Sequence, residues 1–254
     1  MNFWALVVHD SLPSTSDFCI DRARAGEPEG LAVLARRQTR GRGSRGRIWQ
    51  SSAGDLSLSV LLRPGGAAAA AGCWALLAGL VLAETLARFA PDPAALRLKW
   101  PNDVLLDERK LGGVLIDSAG ADRLDWLVIG FGANLAWAPD IPDRPTTCLA
   151  ALGPAPEPEA VAEKLLTALA HWRERLDAGG FASLRAAWLA RAHPAGTALR
   201  IQAGDREIRG AFAGLTERGT LLLSAEGRLH EVAAGEVLAC PPDARLPSTT
   251  CSLA

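Results

Sequence analysis

The run 64–83, PGGAAAAAGCWALLAGLVLA, carries no charged residue. It is long enough to cross a bilayer. Ala and Gly fill most of it, however, and its strongly apolar residues gather in the second half. Length and composition together predict a mostly buried helix over residues 68–89 and not a membrane span. Strand signals flank it. Before it, GDLSLSVLLRP sets Leu56, Leu58, Val60 and Leu62 in alternation with Ser57, Ser59 and Leu61. One face of that strand is apolar, and the small face leaves room for a ligand. After it come a strand at 96–100, a hairpin (104–106, turn 107–109, return 110–117), and the strand DWLVIGFGANL, whose Gly130 and Gly132 permit close approach of a ligand or a neighbouring strand.

Upstream, a strand at 4–9 leads into DSLPSTSD, where Ser14, Thr15 and Ser16 are candidate caps for a helix at 17–25. A short strand follows at 31–38. Residues 139–158 are Pro- and Ala-rich and irregular, and helices are expected at 159–176 and 181–191. From Thr197 the texture changes to short strands and turns, which predicts a small five-stranded barrel. The division expected is a main domain over 1–193, a barrel over 194–240 and a loose tail over 241–254.

The formal net charge is −1, which argues against a broad nucleic-acid footprint. The cysteines (19, 73, 148, 240 and 251) form no C-x-x-C pair, and the histidines (9, 171, 193 and 230) are equally dispersed. Reduced cytosolic thiols and no fixed metal cage are the expectation. The opening MNFWALVVHD has no basic start and too short an apolar run for a secretory signal. Against that neutral background stands QTRGRGSRGRIWQS, residues 38–51. Six arginines fall between Arg36 and Arg47, interleaved with Gly41, Gly43 and Gly46. Such a loop can present backbone N–H groups and forked guanidinium donors to an anion. It is not a Walker A loop, because it lacks the G-K-[ST] ending. On its own it reads equally as a solvated surface loop. A second polar stretch is KWPNDVLLDERKLGG, residues 99–113. There Pro101 disfavours helix, Asn102 and Asp103 sit at a strand junction, and Lys110 precedes Gly112 and Gly113. Taken singly, Lys110 and Asp103 read first as ordinary turn residues.

Taken together, QTRGRGSRGRIW, KWPNDV, RKLGGVLID and VIGFGANL resemble the biotin–protein ligases in order and spacing. DSLPSTSD resembles that family's biotin-contacting turn, and IRGAFAGLTERGTLLLSAEGRLHEVAAGEV its SH3-like barrel. The resemblance runs from about Trp4 to Leu238. It implies an α+β fold: a class II synthetase-like catalytic domain with a mixed, mostly antiparallel sheet and helices on one face, plus the small C-terminal barrel. The implied reaction joins biotin to ATP, with Mg²⁺, as biotinyl-5′-AMP, and then biotinylates one lysine on the biotin carrier domain of a carboxylase.

The resemblance also implies residue roles. Lys110 would lie between biotin's carboxylate and the α-phosphate, with Arg42 and Arg45 as further catalytic residues. Ser14, Thr15, Ser16, Gln38, Arg42, Gly43, Ser44, Trp49, Lys110, Gly112 and Gly113 would contact biotin. Arg42, Arg45, Arg47, Trp49, Asn102, Asp103, Lys110 and Asn134 would contact the nucleotide. Family members include monomers and homodimers, and a cytoplasmic location is expected, with no membrane or nucleic-acid partner. Because the catalytic resemblance starts within the first ten residues, no helix-turn-helix is expected before it. Two positions depart from the family pattern: Ser44 stands where an arginine is frequent, and Ser16 where asparagine is usual. Three rival readings are a lipoate ligase or octanoyltransferase of the same fold, a nucleic-acid-binding repressor, and an inert biotin-binding relative. The GGG signature of the first, before an aromatic-His-Asp segment, is not found.

Overall fold

The structure is a computed structural model and describes residues 3–67, 71–142 and 144–238. The expected tail and the first three residues of the expected long helix lie outside the described residues.

Seven strands form the main sheet: β1 (Ala5–His9), β2 (Leu31–Ala35), β3 (Leu56–Leu62), β4 (Leu96–Lys99), β5 (Asp103–Leu106), β6 (Arg109–Ala119) and β7 (Trp126–Ala133). Their spatial order is β1-β2-β3-β7-β6-β5-β4. Only β1 and β2 run parallel; every other pairing in this sheet is antiparallel. The sheet is thus mixed and mostly antiparallel, as the resemblance implies. The β5–β6 hairpin closes through Asp107 and Glu108, both at positive φ (47° and 58°). That is the mirror-image turn a two-residue hairpin favours, one residue tighter than the expected 107–109 turn.

Four helices pack on the sheet: α1 (Thr15–Arg24), α2 (Ala71–Ala87), α3 (Pro158–Gly179) and α4 (Phe181–Arg191). The uncharged run supplies α2, and its residues from Leu76 to Ala83 are all buried. Helix α2 lies against β4–β7 on one side and α3 and α4 on the other, which is why it is apolar all round. Its single charge, Glu84, accepts from Trp172 Nε1 at 2.7 Å and from Arg191 at 3.3 Å, joining three helices. No helix among the described residues is long and apolar enough to cross a membrane.

Successive strand residues point to opposite faces, and the core divides accordingly. Ala32, Leu34, Leu58, Val60, Leu62, Leu127 and Ile129 join the α2 side. Val33, Leu61 and Val128 pack with Cys19, Ile20 and Ala23 of α1 on the other. The one-sided helical layer therefore holds for α2–α4, while α1 covers part of the opposite face beside β2, β3 and β7.

A second sheet, fitting the expected small barrel, contains β8 (Ala198–Ala203), β9 (Arg206–Leu215), β10 (Leu221–Ala225), β11 (Arg228–Val232) and β12 (Glu236–Leu238). Its order is β11-β10-β9-β8-β12. It meets β4 and α4 across an apolar seam of Leu98, Trp100, Trp188, Leu199, Phe212 and Val237. Trp100 Nε1 reaches the Gly219 carbonyl at 3.3 Å across that seam.

Asp55, before β3, is buried and holds the chain that leaves β7. Its Oδ1 accepts from the backbone N–H groups of Leu135, Ala136 and Trp137 at 2.9, 3.0 and 3.1 Å, and its Oδ2 from Ser52 N at 2.7 Å. Asp55→Ala would orphan those donors. It is expected to lower stability by about 2–4 kcal/mol, measurable by urea denaturation; a loss below about 0.5 kcal/mol would contradict this reading of Asp55.

Candidate active site

The α1-side face of the sheet carries a cross-strand row. Ser57 pairs with Gly132, Gly132 with Gly113, Gly113 with Asp103, and Asp103 with Lys99. A parallel row runs from Ser59 to Gly130 to Leu115. Glycines at the centre of these rows remove the side chains that would fill the face, leaving a trough bounded by polar groups. From β3 to β5 it spans three interstrand spacings, about 14 Å. The resulting cleft has a volume of about 480 Å³ counted to its open mouth.

At the β3 end lies a network of paired donors and acceptors. Gln38 Oε1 accepts from Thr15 N (2.8 Å) and Thr15 Oγ1 (3.2 Å), and Gln38 Nε2 donates to Ser57 Oγ at 3.3 Å. Ser59 Oγ shares hydrogen bonds with Thr15 Oγ1 (2.8 Å) and Ser16 Oγ (3.1 Å). Thr15 and Ser16 open α1, and the side chain of Ser14 caps it, accepting from Asp17 N at 3.2 Å.

The middle of the trough is covered by Trp49. A Cβ built on Gly132 would lie 2.5 Å from Trp49 Cε2, so the indole rests directly on the glycine. Trp49 Nε1 is buried without a partner.

The far end is cationic. Asp103 receives Lys110 Nζ on Oδ1 and Lys99 Nζ on Oδ2, the latter at 3.0 Å. Burial pushes the Asp103 carboxyl up, but the two ammonium groups outweigh it and hold the pKa at about 2. Asp103 is therefore ionised at any working pH. A β-bulge between Val104 and Leu105 sets Lys110 opposite Leu105 and leaves Gly113 opposite Asp103. A Cβ on Gly113 would come within 3.1 Å of Asp103 Oδ1 and 3.2 Å of Lys110 Nζ. Lys110 Nζ also stands 5.7 Å from the Trp49 ring centre.

The arginine loop is a small hairpin. Trp49 N donates to Gly41 O at 3.0 Å and Gly43 N to Arg47 O at 2.8 Å, and the tip turns through Arg45 and Gly46 at positive φ. Gly41 is required by close approach, since a Cβ there would lie 2.4 Å from Trp49 O. Each arginine nominated for phosphate has a carboxylate partner. Arg42 makes a two-pronged contact with Asp117 (2.8 and 3.2 Å) and reaches Asp17 at 2.9 Å. Those hydrogen bonds, Asp117's foremost, raise its pKa above the ordinary value. Arg45, Arg47 and Arg144 converge on Glu236 of β12 at 3.0, 2.9 and 3.3 Å. Burial pushes Glu236 up, but its arginine partners, Arg47 first, bring it below the usual carboxylate range.

Thr15, Ser16, Gln38, Arg42, Gly43, Ser44, Trp49, Asn102, Asp103, Lys110 and Gly113 thus line one cleft. Five nominated residues stand outside that lining. Ser14 caps α1, and Arg45 and Arg47 are turned to Glu236. Gly112 faces away from the trough, toward Ala133 and Leu82. Asn134 is buried, with Nδ2 on Thr147 O at 3.0 Å and Oδ1 unpartnered. The carboxylates Asp17, Asp117 and Glu236, and Lys99, are the additions sequence reasoning did not single out. All four lie inside quoted stretches, but their roles depend on neighbours that only the fold brings beside them. Among the described residues no three His, Cys, Asp or Glu side chains gather as a metal cage. Among the described residues, Asp103 is the one carboxylate lining the cleft.

Comparison with known proteins agrees with this geometry. The model of the biotin/lipoate A/B protein ligase family matches residues 8–134. The chain is 38% identical over 81% of its length to a biotin–[acetyl-CoA-carboxylase] ligase from Paracoccus denitrificans, covering 88% of that protein. It is 32% identical over 91% of its length to one from Mycobacterium tuberculosis, covering 87% of it. Among solved structures, the biotin protein ligase from Aquifex aeolicus in complex with biotin and ATP superposes with a TM-score of 0.79 at 28% identity, over 91% of this chain and 97% of that one. With its sheet, its trough and its cationic end accounted for, the chain belongs to the biotin/lipoate A/B protein ligase family.

Proposed function

We propose that this protein is an ATP-dependent biotin–protein ligase acting on the biotin carrier domain of a carboxylase. The observation that carries this reading is the order of chemistry along one trough: hydrogen-bonding groups at Gln38, Thr15 and Ser16, an apolar cover at Trp49, and a cation at Lys110. Biotin has that order, with a ureido ring carrying donors and acceptors, an aliphatic chain and a terminal carboxylate. Lipoate and octanoate have no ureido group to exchange hydrogen bonds with the Gln38 network, and a site built for such exchange discriminates strongly against ligands lacking it. A thermal-shift panel tests this choice. Biotin is expected to stabilise the fold by mass action, with lipoate and octanoate doing little; stabilisation by lipoate alone would reverse the assignment.

In the first half-reaction a biotin carboxylate oxygen attacks the α-phosphorus of ATP and pyrophosphate leaves. In the second, an acceptor lysine amine attacks the acyl carbon, AMP leaves with the C–O electron pair, and the amine loses a proton. Both steps concentrate negative charge, and preorganised donors lower that cost. Lys110 serves at the shared carboxylate–phosphate junction. Mg²⁺ would accompany ATP as a counterion of its phosphates. Arg42, Arg45 and Arg47 serve the phosphates by exchanging their present carboxylate partners for phosphate oxygens. Trp49 and the hairpin exclude water from the activated intermediate. Asn134, with a buried unpartnered acceptor, serves the adenine side.

Ser44 lines the cleft, and its hydroxyl accepts from Arg47 at 2.8 Å. An arginine there adds a charged donor facing the adenylate. Ser44→Arg is expected to slow biotinyl-5′-AMP release roughly tenfold, the lower-end worth of a hydrogen bond to a charged group. The measurement is the adenylate off-rate of the two proteins side by side; equal rates would remove Ser44 from the account.

A further inference from the structure

Asp103 is gripped from both sides, and only one of its two lysines lines the cleft. Lys110 faces the trough, whereas Lys99, directly across the β4–β5 pair, does not. Lys99 Nζ sits 3.0 Å from Asp103 Oδ2 and donates to the Val237 carbonyl of β12 at 3.3 Å. Lys99 is partly buried, and withdrawing an ammonium from water is costly unless it is paired. A simple tie between β4 and β12 could be made without an ion pair at the reacting end of the cleft.

We infer that Lys99 is a positioning residue: it holds Asp103, so that Lys110 can turn from that carboxylate to the reacting anions. Alone with Lys110, Asp103 would form a neutral, closely hydrogen-bonded pair, and the lysine would have to break it to meet a second carboxylate and a phosphate. With Lys99 on the opposite oxygen, the cluster carries two positive charges against one negative. Asp103 keeps a partner when Lys110 moves, and the unpaired buried carboxylate that would otherwise result is avoided. Lys99 thus acts on the reaction without touching substrate. The Val237 carbonyl fixes the Lys99 ammonium from the barrel side, next to Glu236, which holds the hairpin arginines. Strand β12 therefore touches both cationic groups of the site. The inference rests on the role of Lys110 proposed above.

The test compares wild type, Lys99→Met, Lys99→Arg, Asp103→Asn, the Lys99→Met/Asp103→Asn double variant and Lys110→Ala. Adenylate formation at saturating biotin and MgATP is measured in a single turnover. Binding of the non-reacting analogue biotinol-5′-AMP, which needs no turnover, is measured on the same set. Lys99→Met is expected to lower the single-turnover rate about tenfold, less than loss of a direct stabiliser would. Its affinity for biotin alone should change by less than about twofold, and Lys99→Arg should recover most of the rate. In the Asp103→Asn background, where there is no carboxylate to hold, the Lys99→Met change should cost nothing further in rate or in analogue affinity. A Lys99→Met protein as fast as wild type overturns the inference. So does an equal fractional loss in both backgrounds, which would mark Lys99 as a domain tie alone; if Asp103→Asn is too slow to time, analogue affinity decides by the same criterion. Wild-type rates for Lys110→Ala would instead overturn the reading of Lys110 itself.

Discussion

Lys110→Ala is expected to lower biotinyl-5′-AMP formation by about two to three orders of magnitude while leaving the fold intact. The backbone at this position is held independently of its side chain. Lys110 N donates to Pro145 O at 2.8 Å, and Lys110 O accepts from Thr147 N at 3.0 Å. Truncation therefore removes the ammonium without releasing the strand. What is lost is a cation placed by a bulge at the end of a glycine-floored trough, with Asp103 on one side and the Trp49 ring on the other. In such a partly enclosed place a fixed charge is worth more than in water, because no solvent reorganisation is needed when negative charge develops. Biotin-dependent pyrophosphate exchange reads the loss, and thermal unfolding checks that stability is near wild type. Exchange within a few-fold of wild type would end the assignment of Lys110.

Gly132→Val is expected to weaken biotin binding about a hundredfold, near the upper end of what overpacking costs. The Cβ it adds would lie 2.5, 2.7 and 2.9 Å from Cε2, Cζ2 and Nε1 of Trp49. A rigid indole cannot yield at three atoms at once. Nor can the Trp49 backbone back away freely, since its N–H is bonded to Gly41 O and its carbonyl lies close over Gly41. The ring must leave its seat and the trough loses its cover. Calorimetric titration of biotin reads the effect. A paired control isolates the cause: in a Trp49→Ala background, Gly132→Ala should add little, because the atoms it would meet are gone. Full biotin affinity in Gly132→Val would show that the indole does not need that glycine.

These two residues also mark what could be seen in the sequence. Helix α2 was legible because an uncharged Ala- and Leu-rich run has few alternatives to burial. The open face of β3 was legible from the serines alternating with leucines, and Gly130 and Gly132 announced close approach. The trough itself was not legible, because it is a register property. Ser57, Gly132, Gly113 and Asp103 become one row only when β3, β7, β6 and β5 are placed side by side. Hydrophobic periodicity carries no strand direction, so the parallel pairing of β1 with β2 was invisible, as was the face chosen by α1. The arginine loop was conspicuous, yet its partners were not. Asp117 and Glu236 lie 75 and 189 residues from the arginines they hold, in strands that read as ordinary. Asp55 was missed for the same reason: its acceptors serve backbone N–H groups of a distant segment, and such demand leaves no mark on side-chain patterning.

In the proposed function, one trough activates biotin and hands it to a lysine. Its most direct test is to incubate the protein with biotin, MgATP and an apo biotin carrier domain, and to weigh the carrier by mass spectrometry. The expected result is one added biotin on one lysine, dependent on ATP and accompanied by AMP and pyrophosphate, and absent when Lys110 is alanine. An unmodified carrier from the wild-type protein, with lipoate or octanoate transferred instead to a lipoyl domain under the same conditions, would contradict it.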